Sequence, residues 1–201
     1  MSTEMSISKE SCSATVTRGA GSLETVSPGG YYTTECYDKD GNLKWSDYIQ
    51  NVVTDQGRNH MLGVEFKAVT QVTAWYIGLI SSLKGSNNYA TVANTDTQAS
   101  HSNWAQCNSN NAPNFSQTSN RLVTFATAAT KAIASSNACV FSILTSGTVK
   151  GAFLTTNPNK SNLGVGPTTG FLYSAGLFAA GDKVVSNGDI LNVSYATVLG
   201  G

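Results

Sequence analysis

Charge is what this chain has least of: 12% of its 201 residues are Asp, Glu, Lys or Arg, against about 25% in ordinary globular proteins. The formal net charge is zero and no basic cluster interrupts it, so the electrostatic footprint of a nucleic-acid or anionic-membrane binder is missing. Long apolar runs are missing too, since no window approaches the ~18 residues of a membrane-spanning helix. The stretch Met1-Ser2-Thr3-Glu4-Met5 lacks the basic-then-apolar layout of a secretion signal, so the expectation is a protein made and kept in the cytoplasm of its producer, or released by lysis. Cysteine is sparse. Cys12, Cys36, Cys107 and Cys139 are far apart and form no C-x-x-C pair, which argues against a zinc site and for free thiols in a reducing compartment. Histidine is limited to His60 and His101, and no nucleophile elbow, Walker loop, dinucleotide fingerprint or H-E-x-x-H motif occurs.

Ser, Thr, Asn and Gly are plentiful in place of charge. With 19 glycines and little Glu, Lys or Leu, the composition predicts an all-β protein with many turns. Its organising stretch runs from Thr148 to Val198, where three apolar runs (149–154, 170–178 and 190–198) are separated by Asn157-Pro158-Asn159-Lys160 and Ser186-Asn187-Gly188-Asp189. These read as consecutive antiparallel strands around turns. The last run alternates, with Leu191, Val193, Tyr195 and Thr197 on one face and Ile190, Asn192, Ser194 and Ala196 on the other, the period of a strand with one buried side.

Residues 1–29 are poor in large apolar side chains, carry only weak anchors such as Val16 and Leu23, and stop at Pro28-Gly29-Gly30. They read as an extended or flexible N-terminal arm, leaving 30–201 as the folded domain. Tyr31 to Tyr37 and Leu43 to Ile49 flank Asp38-Lys39-Asp40-Gly41-Asn42, a hairpin signal. The same turn does not complete a calcium loop, which needs a closing glutamate. Thr54 or Asp55 caps a short helix whose apolar spacing falls on Met61, Leu62 and Phe66, and Thr73 to Ile80 reads as a central, near-continuously apolar strand. Residues 81–120 form a long polar passage, of the length that is functional or packed as a surface loop. Arg121 to Phe125 and Ala138 to Leu144 are read as strands, and Ala126 to Ala134 between them fits either strand or helix, with its Thr content and its neighbours favouring strand. The expected architecture is an antiparallel β-sandwich, jelly-roll or immunoglobulin-like.

Catalysis has few candidates. Asp96, Ser100 and His101 are close enough in sequence to form a hydrogen-bonded set, but triad members come from separate elements and adjacent Ser and His do not reach that geometry, so the set reads as structural pinning of its loop. Asp96 and His101 are also too few to hold a metal without a distant oxygen such as Asp189. His60 reads as a packing residue. Hence no enzyme, cofactor or metal is expected. The aromatic set Tyr31, Tyr32, Tyr37, Trp45, Tyr48, Tyr89 and Trp104 offers stacking surfaces for sugars, although strand aromatics more commonly pack in cores and interfaces.

Several runs together carry a resemblance: Asn51-Val52-Val53-Thr54 with Gly57 and Asn59, Trp75-Tyr76-Ile77-Gly78-Leu79, and Asp96-Thr97 with Ser100-His101 and Trp104. Gly151-Ala152-Phe153-Leu154-Thr155, Gly170 with Leu172-Tyr173-Ser174, and Gly188-Asp189 with Leu191-Asn192-Val193 continue it. From about Tyr31 to Val198 the chain resembles small β-sandwich structural proteins of tailed bacteriophages, of the capsid decoration (cement) or head-fibre type. The resemblance implies a virion component, made in the host bacterial cytoplasm, whose partners are the major capsid protein and copies of itself, with residues 1–29 lying across a neighbour. The alternative expectation is a tail or fibre module in which Tyr89, His101 and Trp104 bind a host-surface glycan.

Overall fold

Alternating polar and apolar residues on either side of a tight turn dictate the first element pair. A computed structural model describes residues 27–81, 90–160 and 170–200, and in it β1 (Ser27–Tyr37) and β2 (Leu43–Val53) form that hairpin. Asp38 accepts from the amides of Asp40 and Asn42, and Gly41 takes the positive φ of 85° that closes the loop. The helix α1 (Asp55–Lys67) follows directly. Then come β3 (Trp75–Ser81), β4 (Ala105–Gln106), β5 (Arg121–Val123), β6 (Ala132–Ala134), β7 (Cys139–Ser142), β8 (Gly147–Thr155), β9 (Leu172–Leu177), β10 (Lys183–Val185) and β11 (Ile190–Gly200).

Among the described residues the protein is all-β apart from α1, with every strand pair antiparallel. One sheet runs β2-β1-β11, with β6 and β7 sharing the far edge of β11. The other runs β2-β9-β8-β3, with β4 and β5 sharing the far edge of β3 and β10 on β8. β2 belongs to both: Leu43 to Gln50 pair with β1, whereas Asn51 to Val53 pair with Ser174 to Gly176 of β9. On the opposite side Phe125, just past β5, bridges Ser135, just past β6, and Ser136 N donates to Thr124 O at 2.7 Å. The two layers thereby close around one core, as sandwiches do where strands change sheets.

That core is filled by Tyr32, Ile49, Leu79, Phe141, Leu191 and Tyr195, all essentially inaccessible, each contributing about 1.5–3 kcal/mol by leaving water. Tyr32 and Tyr195 pack with ring centroids 4.9 Å apart, and Tyr32 Oη shares a 2.8 Å hydrogen bond with Ser174 Oγ across the layers. At the other end Lys183 of β10 meets Asp47 of β2 at 2.6 Å, with its ammonium 5.8 Å from the Trp45 ring and 5.6 Å from Phe178. This ion pair ties the two sheets.

Thr54 caps α1 as expected, accepting from Gly57 N while its hydroxyl donates to Leu172 O. The face that packs differs in part from the expected one: Leu62 and Phe66 are exposed, α1 meets β9 through Gly57 and Met61, and His60 packs on Phe171 and Trp75. Gly57 decides this, because a Cβ there would lie 2.6 Å from Tyr173 O. The approach is closer than any side chain allows.

Four other expectations change. Pro28 to Gly30 do not end an arm but lie in β1, opposite Leu199 to Thr197, and residues 1–26 fall outside the described residues. The stretch from 126 to 134 is a turn with positive φ at Thr130 and Lys131, and only Ala132 to Ala134 are strand. β8 and β9 are neighbours, but β11 joins the other sheet, so 148–198 is shared between layers. Finally, Lys183 to Val185 form a strand that no local pattern announced.

Candidate functional site

Polar loops facing water would be the obvious place for recognition, and the residues of 90–108 are polar; they are nevertheless packed as a roof. Trp104 is 0% exposed and His101 1%. Trp104 lies on Ile80, Phe153, Leu172 and Ala175, the outward side chains of the second sheet, with its ring centroid 5.1 Å from that of Phe153. Its indole N–H donates to Asp96 Oδ2 at 2.9 Å, and the same carboxylate oxygen accepts from Ala93 N at 3.0 Å. His101 stacks on Trp104 at 3.8 Å and its Nδ1 lies 2.9 Å from Trp104 O. Asp96 therefore serves the tryptophan and not the histidine. Ser100 turns back to Thr97, and Asp189 binds Lys44 and Ser186 N on the far side of the molecule.

The glycan expectation at these positions is corrected accordingly: a sugar needs an open aromatic face, and neither His101 nor Trp104 has one. Tyr89 lies outside the described residues. Further contacts pin the roof down: Asp55 N donates to Asn94 O at 2.8 Å, Gln56 Oε1 accepts from both Gln98 N and Leu172 N, and Thr155 Oγ1 donates to Gln98 Oε1. This loop is a structural cover.

On the opposite outer face none of the described residues forms a cover. In β1 the side chains alternate, so Tyr32, Thr34 and Cys36 point inward while Tyr31, Thr33 and Glu35 are exposed. Tyr31 is 45% exposed, Tyr48 59% and Val198 42%. Tyr31 and Tyr48 are diagonal cross-strand neighbours, since Thr33 stands opposite Tyr48 and Tyr31 opposite Gln50. Between them and Val198 the floor is Gly29, where a Cβ would meet nothing within 4 Å, and the result is an open depression of about 500 Å3. Of the aromatic set read from the sequence, Tyr32 is core and Trp45 packs edge-on to Phe178. Tyr31 and Tyr48 alone of its β1 and β2 members are fully classed as exposed, and the in-out alternation around Tyr31-Tyr32 is the signal that separates them.

A third feature was not legible at all. At the end of the sandwich where β1 begins, an apolar groove of about 540 Å3 opens between Trp75, Phe125, Ile133 and Leu154. It runs on through Tyr173 and Thr197 into a second lobe of about 380 Å3 between Met61 and Leu199. Burial raises the Tyr173 and Tyr195 phenols above their ordinary values. Both stay protonated, Tyr195 accepting from Asn51 Nδ2 at 3.1 Å and Tyr173 directed at Met61 Sδ.

The chemistry of the interior is inert. Burial pushes the Cys36 thiol up to about 12 and Cys139 to about 11, and raises Cys107 further, so none supplies a thiolate near neutral pH. Lys160, its ammonium 3.9 Å from the Phe115 ring centre, is held below the usual lysine value by burial but spends its protons on Asn114 Oδ1 and Phe115 O. Among the described residues no three His, Cys, Asp or Glu side chains gather as a metal site, and no helix is long and apolar enough to cross a membrane. Comparison with protein-family models, with curated proteins and with solved structures finds no match to this chain.

Proposed function

We propose that this protein is a bacteriophage virion component that decorates the assembled head shell and bridges coat subunits, docking through the outer face of β2-β1-β11. The observation that carries the reading is that face itself: flat, low in charge, aromatic around a glycine floor, and left uncovered where the opposite sheet is roofed by its own chain. The eleven residues each of β1 and β11, the Leu43 to Gln50 part of β2 and the β6 and β7 edge together present roughly 600 Å2, on the scale of the ~800 Å2 each partner gives to a stable interface. Tyrosines that are rigid, amphipathic and central to such a patch are the residue type that carries most binding energy. A closed sandwich adds the rigidity that lets many copies sit in register on a repeating surface.

Co-sedimentation of the purified protein with phage heads that lack it is the test. Wild type is expected to saturate the heads, and the Tyr31→Ala, Tyr48→Ala double variant to lose binding while remaining folded. Immunogold labelling of intact particles should then decorate the head at regular spacing. Label restricted to the tail, or to no part of the particle, would sink the proposal.

A further inference from the structure

The apolar groove at the β1 end is left open by the described residues, and the chain supplies a partner beside it. Ser27, the first residue of β1, stands opposite Gly200, next to Leu199 on the rim of the second lobe. Twenty-six residues precede it. Their last two large apolar residues are Leu23 and Val26, and the four-residue step from Ser27 back to Leu23 reaches at most about 14 Å. Among the described residues lining the groove Lys131 is the one charged side chain, and it sits at the mouth with a positive φ. Glu24 follows Leu23 directly. Apolar residues for the floor and an acid for the basic rim thus occur in the order the groove requires.

We propose that the groove is an intramolecular docking site for the N-terminal segment of the same chain, with Leu23 and Val26 entering between Ile133, Tyr173, Met61 and Leu199, and Glu24 paired with Lys131. Tethering favours the same chain over a second copy, because a short linker holds the segment at an effective concentration of roughly millimolar. The segment then folds back on its own domain instead of lying across a neighbour. This assignment does not depend on shell binding.

The test uses the full chain with benzoylphenylalanine in place of Leu23. Irradiation is expected to cross-link position 23 to peptides containing Phe125 to Ile133 or Val198 to Leu199. An equal mixture of light and heavy isotope-labelled protein should give only single-isotope products. A charge in the groove, Ile133→Asp or, on the half-exposed helix rim, Met61→Glu, should cut the yield about tenfold, as expected when an apolar contact must accommodate an ion. Circular dichroism identifies which of the two variants keeps the fold. Cross-links elsewhere, mixed-isotope products, which would make a second copy the occupant, or a yield that the folded variant leaves unchanged would each overturn the assignment.

Discussion

The two sheets share β2 and one core, yet their outer faces have opposite fates. Over β9-β8-β3 the chain lays its own 90–108 loop, so nearly every residue of β3 from Ile77 to Ser81 and of β8 from Val149 to Thr155 is buried. Over β2-β1-β11 nothing described is laid, and burial alternates strictly from Tyr31 to Cys36. The aromatic residue of the polar loop, Trp104, is therefore spent on stability here, while Tyr31 and Tyr48 on regular strands stay exposed. Residue type alone suggests the reverse.

Removing the roof's central side chain should have the largest effect. Trp104→Ala is expected to cost about 3–5 kcal/mol, read as a fall in the urea midpoint, and a loss under 1 kcal/mol would mean that the loop is not a structural cover. Next comes the joint between helix and sheet. Gly57→Ala, forcing a methyl group against Tyr173 O, should destabilise by about 1–3 kcal/mol although alanine is the better helix former. A neutral result there would show that α1 can move off β9.

The ion pair shared by the sheets sharpens the comparison through pH. The hydrogen bond from Lys183 is the main reason the Asp47 carboxyl is held below its ordinary value. A depressed carboxyl adds stability that is present above its unfolded value of about 4 and is lost as pH falls through the lower folded value. Asp47→Asn should then lower stability at pH 7 and flatten its decline on acidification below about pH 4, as thermal melts at stepped pH would reveal. A wild-type acid limb as steep as before in the variant would assign the dependence to other carboxylates. Smallest in stability are the bare-face changes: Tyr31→Ala and Tyr48→Ala should each shift unfolding by no more than about 0.5 kcal/mol. A much larger loss would mean that the face is part of the fold and not a docking surface.

Much of the fold was legible in the residues. The alternation in 190–198 correctly separated Leu191, Val193 and Tyr195, which are buried, from the opposite face. The near-continuous apolar run in 73–80 holds the buried strand β3, though that strand begins only at Trp75, and of the two capping residues the sequence offers Thr54 is the one that caps the helix. The helix face was misread because Leu62 and Phe66 have helical spacing, whereas packing was decided by a glycine that lets the backbone approach. The candidate site was legible only as a list of aromatics. The glycan reading of Trp104 and His101 fails because a polar loop with two buried rings has the same composition as an open one, whereas the loop-pinning reading of His101 agrees with its burial and its stacking on Trp104. The groove lining comes from seven separate segments that no local pattern connects.

By itself the sequence determined the β-rich class, the positions of most strands and turns, and the two faces of the alternating strand at 190–198, because steric preference and periodicity act over a few neighbouring residues. Only the tertiary structure decided that β2 serves two sheets, that 90–108 covers one of them and that Tyr31 and Tyr48 stay uncovered. Those outcomes depend on which surfaces far apart in the chain exclude water from each other, and that competition is settled by the folded whole.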